Sequence, residues 1–434
     1  MSPRLAFVIE QILVFLVLLC YSYCINFPLT VTFENPVALS FFQKTAKLVA
    51  IGLTFLFFIR QPKAFLNILA RASGLCLFVL YITSTALWAN DSFVVLKEAI
   101  LLMILIGFSI YLACNFKQTN VLFLLLGVHT LGSLLSLMWW YLFPQESWAS
   151  TTFGASGEII FGLKGSYPHK NHLALAMNLA ILCSLSLWLM KQISGFLMLP
   201  LCGLFTFLLV CSHSVSNLVL LAITLPMFFV EHFFFNRHSK SRGLILSMGL
   251  IILIFMGGLG FQYLPKISQR LNRKSNLSGR LVIWEKSLEA VKAKPWQGYG
   301  FNSFWPKHKN IEKFPEAYKI WNELEWASPG AHNAYIDLLL GTGGIGLILG
   351  TLALGQLLVQ SSDSRNQNLY NISPKSPFKN SFLLMMLVIN TVESILINPR
   401  YLYGMILLFI LFCDMSTDQK KIPTTLFGGS FKTD

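Results

Sequence analysis

Charged residues are scarce in this chain of 434 residues. Only 12% of the residues are Asp, Glu, Lys or Arg, whereas 55% are hydrophobic and the mean hydropathy is +0.62. Soluble globular proteins carry about a quarter charged residues, so water cannot be the main solvent of this chain. The composition excludes a soluble domain and predicts a protein that spans a membrane.

The chain also lacks the short motifs of metal and nucleotide chemistry. No HExxH, CxxC, P-loop, GxSxG or paired-aspartate pattern occurs, so a metal-dependent or nucleotide-hydrolysing mechanism has no residues to carry it. The eight cysteines lie in or beside apolar runs without metal-ligand spacing, and Asp91 and Asp337 are isolated acids. We therefore expect no metal and no cofactor.

One glycine motif is present, but its context is wrong. Gly341, Gly343 and Gly346 match G-x-G-x-x-G, yet no predicted strand precedes them and they lie inside an apolar run, which excludes a dinucleotide site. Small residues at Gly341, Gly344 and Gly350 are instead expected to let a neighbouring helix approach closely.

Basic residues outnumber acidic ones by 33 to 19 and give a formal net charge of +14. They lie mostly between apolar runs, where anionic lipid headgroups and the positive-inside rule explain them. We therefore expect the lipid bilayer as a partner and no nucleic acid.

Apolar runs recur that are long enough to cross the hydrocarbon core, which takes about 20 residues in a helix. The N-terminal run is too long for the apolar part of a signal peptide and lacks a small-residue cleavage site, so we interpret it as the first span. About twelve spans are predicted, near residues 5–24, 37–60, 66–89, 92–114, 119–143, 171–190, 195–211, 214–235, 243–262, 332–358, 380–397 and 401–415.

Alternate connectors carry the basic residues and are assigned to the cytoplasm, together with both termini. The predicted fold class is all-α: a polytopic transmembrane helical bundle with a large, partly helical extracytoplasmic loop before span 10. We predict spans 1–9 within residues 1–262, the loop over 263–331, spans 10–12 within 332–415 and a cytoplasmic tail over 416–434.

Several charged residues fall in the outer half of the predicted spans, where charges are costly and usually functional. Lys44 and Lys47 share one face of span 2, because three residues are nearly one helical turn. Lys97 and Glu98 lie in the outer half of span 4. At the outer boundary fall Glu393, Arg400 and the group His169, Lys170, Asn171 and His172. Any one of them could equally be a snorkelling or paired group, but their common side indicates a site that faces outward.

The outer loop contains one predicted amphipathic helix, which ends at Pro295 and Gly298. Arg280 lies in its first turn, one turn before Trp284. A guanidinium suits a phosphate or diphosphate, and a solvated loop arginine is the alternative. His332 stands where the chain re-enters the membrane, either as a general base or as an interfacial hydrogen-bonding residue.

Three blocks resemble the O-antigen ligase and O-antigen polymerase superfamily of polytopic membrane glycosyltransferases. They are GSYPHKNHLALAMNLAI around Lys170, GRLVIWEKSLEAVKAKPWQGYGFNSF from Gly279 and AHNAYIDLLLGTGGIGL from Ala331. The number of predicted spans and the large outer loop also agree with this family. The resemblance therefore covers most of the chain.

The resemblance implies a metal-independent glycosyltransferase of the bacterial inner membrane, which moves a glycan from an undecaprenyl-diphosphate carrier to a sugar hydroxyl on the outer face. It implies that Arg280 holds the leaving diphosphate and that His332 activates the hydroxyl of a glycan or lipid-core acceptor. The implied substrate-binding residues are Lys44, Lys47, Lys97, His169, Lys170, Asn171, Trp284, Asn333 and Arg400. Other polysaccharide assembly proteins are further expected partners.

The chain departs from the family at one place. Many relatives carry Ser-Arg-Gly near the outer end of one span, whereas this chain has SHSVSNL from Ser212. That substitution leaves Lys170 and Arg400 as alternatives for the second phosphate contact.

Three functions are compatible with these features. Within the family, the HKN block favours an exopolysaccharide-type polymerase over a ligase. A secondary transporter of a small solute is an alternative, although the chain shows neither duplicated halves nor matching broken helices. A non-catalytic scaffold of a polysaccharide assembly complex is another, and it would not need Arg280 or His332.

Overall fold

A computed structural model describes residues 3–25, 36–153, 158–235, 280–305, 313–324, 328–362, 377–395 and 398–416. Over these ranges the regular structure is almost entirely helical, so the predicted all-α class is confirmed. The predicted span near 243–262, the loop residues 263–279 and the tail from residue 417 lie outside the described residues.

The helices that precede the outer loop follow one another with short connections. They are α1 (Pro3–Tyr21), α2 (Pro36–Arg60), α3 (Pro62–Arg71), α4 (Ser73–Ser84), α5 (Ser92–Asn115), α6 (Gln118–Leu142), α7 (Lys170–Leu189), α8 (Gly195–Cys211) and α9 (Val215–Val230). The loop and the C-terminal part contribute α10 (Arg280–Ala293), α11 (Pro315–Leu324), α12 (Ala334–Ser362), α13 (Phe378–Ile389) and α14 (Leu402–Met415).

Six of the described helices are long and apolar enough to cross a membrane: α2, α5, α6, α7, α9 and α12. The pair α3 and α4 would add a seventh crossing as one bent span. The shorter apolar helices α1, α8, α13 and α14 coincide with the other predicted spans in the described ranges. The polytopic class is confirmed, and the number of twelve spans stays a prediction.

The span predicted near 66–89 is not one straight helix, because α3 and α4 meet at an angle of 81°. The break leaves the first amides of α4 without partners inside a helix. Gln356 of α12 supplies a partner for one of these amides. Its Oε1 accepts from the backbone N–H of Gly74 at 2.6 Å, and its Nε2 donates to Ser73 Oγ at 2.9 Å. Packing against α12 therefore stabilises a bend that hydropathy alone does not predict.

The span predicted over 380–397 is also shorter in the structure, since α13 ends at Ile389. Asn390 turns the chain there. Its Nδ2 donates to the Met386 carbonyl at 2.6 Å, and its Oδ1 accepts from the Ile395 amide at 3.1 Å. The residues after Ile389 are thereby placed beside the outer loop instead of continuing the helix.

Helix α7 lies at the centre of the bundle and is buried on all sides. It packs against α6, α8, α9 and α13, and its central residues from Leu173 to Leu187 are all buried. A helix that is apolar all round is stable only when it is surrounded. The residues at the start of α7 are therefore held in place by the surrounding helices.

The connection before α7 contains an antiparallel hairpin that the sequence did not predict. Strand β1 (Trp148–Phe153) pairs with β2 (Glu158–Leu163), and Trp148 lies opposite Leu163. Gly162 of β2 has no room for a side chain, because an added Cβ would lie 2.2 Å from the Ser212 carbonyl oxygen and 2.6 Å from Lys170 Cδ. The hairpin therefore closes over the start of α7.

Helix α12 is interrupted at Gly343, which has φ +64° and ψ −168°. The interruption exposes backbone groups that pair with the outer loop: Gly300 N–H donates to Gly341 O at 2.8 Å, and Gly344 N–H donates to Pro295 O at 2.7 Å. The predicted close approach of a helix to Gly341 and Gly344 is thus wrong, because loop backbone approaches them. At Gly350 a helix does approach, since an added Cβ would contact Phe78 of α4.

Candidate functional site

The outer loop presents Arg280 at the start of a well-packed helix. The predicted loop helix is confirmed as α10, and Arg280 is its first residue. Ile283 and Ala290 of α10 are buried in a small apolar core that includes Ile320 of α11 and Leu340 of α12. This core fixes the direction of α10 and holds Arg280 beside the start of α7 and the turn after α13.

Glu393, in the turn after α13, lies at the centre of the site. Arg280 Nη2 donates to Glu393 Oε1 at 3.0 Å, and Asn171 Nδ2 donates to the same oxygen at 2.7 Å. His332 Nδ1 lies 3.6 Å from Glu393 Oε2. Arg280 and Glu393 each keep 18% of their side-chain surface exposed, so the group is reachable without being freely solvated.

The charge of Glu393 is strongly stabilised by its neighbours. Burial raises its pKa, but the interaction with His332 and the positive charge of Arg280 outweigh burial and lower the pKa to about 2. Glu393 is therefore a carboxylate at any pH near neutrality. Its two oxygens contact Arg280 and His332, which come from different segments of the chain.

The backbone places His332 in a conformation that few residues adopt, with φ +51°. Its neighbours are held on both sides: Trp284 Nε1 donates to the Ala331 carbonyl at 2.8 Å, and Ala334 N–H donates to the Asn390 carbonyl at 2.9 Å. Unusual backbone conformations that the surroundings enforce are common at functional sites. Trp284 thus holds the chain directly before the histidine.

Asp337 of α12 supports the same segment and is not the isolated acid that the sequence indicated. Its carboxylate accepts from the Ala331 amide at 3.0 Å and from Trp305 Nε1 at 2.8 Å. Ser394 Oγ also donates to it. Because Ser394 follows Glu393, Asp337 connects both partners of the histidine–glutamate contact. Asn333 has a related role, since its Oδ1 caps α12 by accepting from the amides of Tyr335 and Ile336.

A chain of neutral polar groups supports Asn171 from behind. Ser214 Oγ donates to Asn171 Oδ1 at 3.0 Å, and Asn217 Nδ2 donates to Ser214 Oγ at 3.0 Å. Asn178 Nδ2 in turn donates to the Asn217 carbonyl at 3.0 Å. Ser214 and Asn217 belong to the segment in which many relatives carry Ser-Arg-Gly. In this chain, Ser214 of that segment orients the side-chain amide of Asn171, which donates to Glu393.

The start of α7 holds the remaining members of the HKN block. His169 is the N-cap of α7, and its Nδ1 accepts from the Asn171 amide at 3.2 Å. Burial, followed by the nearby His172, lowers the pKa of His169 to about 4, so the ring is neutral and able to accept. Lys170 is buried, and its alkyl chain lies over Gly162 of the hairpin.

The predicted cations of α2 and α5 form a second group together with Arg400. Lys47 lies within electrostatic range of Arg400, Lys97, Glu98 and Lys44. Arg400 Nη2 donates to Glu98, whose side chain is completely buried. The structure thus divides the predicted binding residues into an Arg280–Glu393 cluster and an α2–α5 cation group.

From the sequence, Glu393 is predicted only as a charge at the outer boundary, without a role in the site. The available signal was its place at the predicted outer end of an apolar run, on the same predicted side of the membrane as His332. Nothing in the sequence indicates that one carboxylate meets both Arg280 and His332, because that contact depends on the turn after Ile389. Within the described ranges, no three His, Cys, Asp or Glu side chains are grouped so as to hold a metal ion.

Comparison with known proteins supports the resemblance. Residues 200–350 match a family model described as O-Antigen ligase, and this region includes both Arg280 and His332. The chain is also 27% identical over 188 residues to the exopolysaccharide production protein ExoQ of Rhizobium meliloti (strain 1021). That match covers 42% of this chain and 39% of the relative's length. The similarity to the O-antigen ligase and polymerase superfamily is thus confirmed.

Proposed function

We propose that this protein is a membrane glycosyltransferase of polysaccharide assembly, which moves a glycan from an undecaprenyl-diphosphate carrier to a sugar hydroxyl. The observation that carries the proposal is the Arg280–Glu393–His332 contact, which brings a permanent cation and a potential base to one carboxylate. The matched family model spans both Arg280 and His332 and supports the same reading.

Arg280 supplies the electrostatic part of the proposed reaction. When the bond between the anomeric carbon and the diphosphate oxygen breaks, negative charge develops on the diphosphate. Within the described ranges Arg280 uses one N–H group on Glu393, and a guanidinium has five. The others are available for two phosphate oxygens, so Arg280 can hold the leaving group while Glu393 keeps it in place.

His332 supplies the proton transfer. Its Nδ1 faces the Glu393 carboxylate, which favours the tautomer with the proton on Nδ1 and a lone pair on Nε2. Nε2 accepts the proton of the acceptor hydroxyl as the new glycosidic bond forms, and Glu393 stabilises the resulting imidazolium. The bond to the diphosphate breaks, and the carrier diphosphate leaves with its electron pair.

The acceptor and the setting complete the proposal. We assign the site to the outer face of a bacterial inner membrane, with both termini in the cytoplasm, because basic connectors alternate along the chain. The acceptor is itself a carrier-linked glycan, which makes the protein a polymerase; the similarity to an exopolysaccharide production protein favours this over a ligase.

The test is transfer by purified protein in nanodiscs, supplied with the host's undecaprenyl-diphosphate-linked repeat unit. Wild type should yield a ladder of longer carrier-linked products, and Arg280→Ala should abolish it. Lys286→Ala is the matched control: Lys286 also lies on α10 but pairs with Glu289 and Glu323. A single transfer to an added acceptor would identify a ligase instead, and full activity of Arg280→Ala would refute the assignment.

A further inference from the structure

A groove on the side of the bundle is lined only by apolar groups and one threonine. It has a volume of about 330 Å³ and lies between α2, α3 and α5. Its walls include Ile51, Phe55 and Phe58 of α2 and Ile100 and Ile104 of α5.

The floor of the groove is formed where α2 and α5 approach each other. A Cβ added to Gly107 would lie 3.0 Å from Thr54 Cγ2. The Thr54 hydroxyl donates to the Ala50 carbonyl at 2.7 Å. The one polar side chain of the lining is therefore satisfied within its own helix, and the groove suits a hydrocarbon chain.

The cation group stands above this groove on the same two helices. Lys47 is followed at helical spacing by Ile51, Phe55 and Phe58 on one face of α2. In α5, Lys97 is followed in the same way by Ile100, Ile104 and Gly107. Each helix thus continues from an outer lysine into a wall of the groove.

The depth of the groove suits the hydrocarbon chain of a long lipid. A helix rises 1.5 Å per residue, so Phe58 lies about 16 Å below Lys47. Phe58 lies two residues before Arg60, at the end of α2 that is predicted to face the cytoplasm. In a hydrocarbon core about 30 Å thick, the groove therefore extends from one turn below Lys47 through the inner half of the bilayer. Four cations (Lys44, Lys47, Lys97 and Arg400) against one carboxylate, Glu98, favour a headgroup with more than one negative charge.

Aromatic side chains lie between this group and the Arg280–Glu393 cluster. Tyr401 contacts Tyr23 with ring centroids 5.5 Å apart and His172 at 5.2 Å. Tyr401 is also within electrostatic range of both Glu393 and Arg400. The α2–α5 cation group and the Arg280–Glu393 cluster are therefore neighbours, and these aromatic side chains separate them.

We propose that the groove and its cations form a second lipid-diphosphate site, which holds the carrier of the acceptor glycan. This inference rests on the proposed function. The reacting hydroxyl of a carrier-linked acceptor lies away from its own diphosphate, with sugars in between. The acceptor's diphosphate must therefore be anchored apart from His332. The α2–α5 cation group offers such an anchor, and the groove beneath it can hold part of the isoprenoid chain.

The test counts bound lipids by native mass spectrometry of the full-length protein, with undecaprenyl diphosphate as the probe. Wild type should bind two molecules. Arg280→Ala and the double variant Lys47→Gln/Lys97→Gln should each lose one, with binding at the affected site at least about tenfold weaker. Arg60→Gln, at the other end of α2, is the matched control and should retain both.

The groove itself is tested by filling it. Met103→Trp places a large ring in the lining and should weaken the second binding event. Leu48→Trp is the control, because Leu48 is exposed on α2 outside the lining. Equal binding by both tryptophan variants would overturn the assignment of the chain to the groove.

The outcomes separate this inference from the proposed function. A single bound lipid that only Arg280→Ala removes would overturn the second site and leave the proposed function standing. Displacement of the second molecule by equimolar phosphatidylglycerol would overturn it in favour of an ordinary anionic phospholipid. Loss of one lipid in the lysine double variant, with both retained in Arg280→Ala, would uphold the second site and refute the role of Arg280.

Discussion

His332 has a proposed role as a base and also a backbone conformation with positive φ. A suitable substitution can remove the base while it keeps this conformation. Asparagine tolerates positive φ better than most residues, so His332→Asn keeps the φ of +51° accessible while it removes the base. We expect the transfer rate to fall by about 10²- to 10⁴-fold, the usual contribution of a general base.

The measurement is the transfer rate beside the thermal unfolding midpoint in detergent, which should change little for His332→Asn. If this variant keeps the wild-type rate, His332 is only an interfacial hydrogen-bonding residue.

Glu393 is expected to act through the groups it holds, without touching substrate. Glu393→Gln keeps the shape but removes the negative charge that stabilises a protonated His332. We expect kcat to fall at least about tenfold, the effect of about 1.4 kcal/mol in the transition state. KM for the carrier-linked donor should be unchanged or lower, because Arg280 no longer shares its charge with a carboxylate. A rise in KM with unchanged kcat would instead make Glu393 a binding residue.

Individual site residues were predictable from the sequence, but the contacts among their side chains were not. Arg280 and His332 were identified from a resemblance between sequence blocks, which preserves positions along the chain. Glu393 lies 61 positions after His332, and its contact depends on the turn that Asn390 creates. Trp284 and Asn333 were predicted to bind substrate; the structure shows them holding backbone groups beside His332, and a substrate contact stays a prediction.

The interruption of α12 is the element that attaches the outer loop to the membrane domain. Gly343→Ala should detach that loop, because φ +64° costs an alanine about 1–2 kcal/mol and its Cβ would lie 2.2 Å from the Trp296 carbonyl. We expect a lower unfolding midpoint and loss of transfer. Gly355→Ala is the control on the same helix, where an added Cβ meets nothing within 4 Å. Comparable loss in both variants would show that α12 tolerates no alanine, and that the interruption has no special role.

The N-cap of α7 should give the protein a pH-dependent stability. Burial lowers the pKa of His169 to about 4, whereas an unfolded histidine titrates near 6.5. The folded state therefore binds fewer protons, and the stabilisation is complete above about pH 6.5 and lost as the pH falls through about 4. The unfolding midpoint in detergent should drop over this range, and less so in His169→Asn, since asparagine caps without titrating. An equal drop in both proteins would exclude His169 as the source.

Elements were predictable where length and hydropathy decide the outcome. The predicted spans in the described ranges all correspond to apolar helices. The interruption at Gly343 was not predictable, because a glycine-rich run permits both a continuous helix and a break. The hairpin β1–β2 was missed since its two six-residue strands lie in a connector without clear alternation.

On the scale of the whole molecule, the buried helix α7 joins the parts of the site. Its first turn provides His169, Lys170 and Asn171, while Arg280 comes from the outer loop and Glu393 from the turn after α13. Side chains from distant parts of the chain thus meet at the end of one rigid element. Composition predicted the membrane domain, but only the three-dimensional arrangement shows which of these charged side chains contact one another.

In the proposed reaction, one glycosidic bond forms for each carrier diphosphate that leaves the Arg280–Glu393 cluster. The most direct test measures both quantities in one reaction of the purified protein with the lipid-linked repeat unit: bonds formed and undecaprenyl diphosphate released. We predict a ratio of about one to one for wild type and for Lys286→Ala, and neither product for Arg280→Ala. Bond formation without release of the diphosphate, or equal yields from Arg280→Ala, would show that Arg280 does not hold a leaving diphosphate.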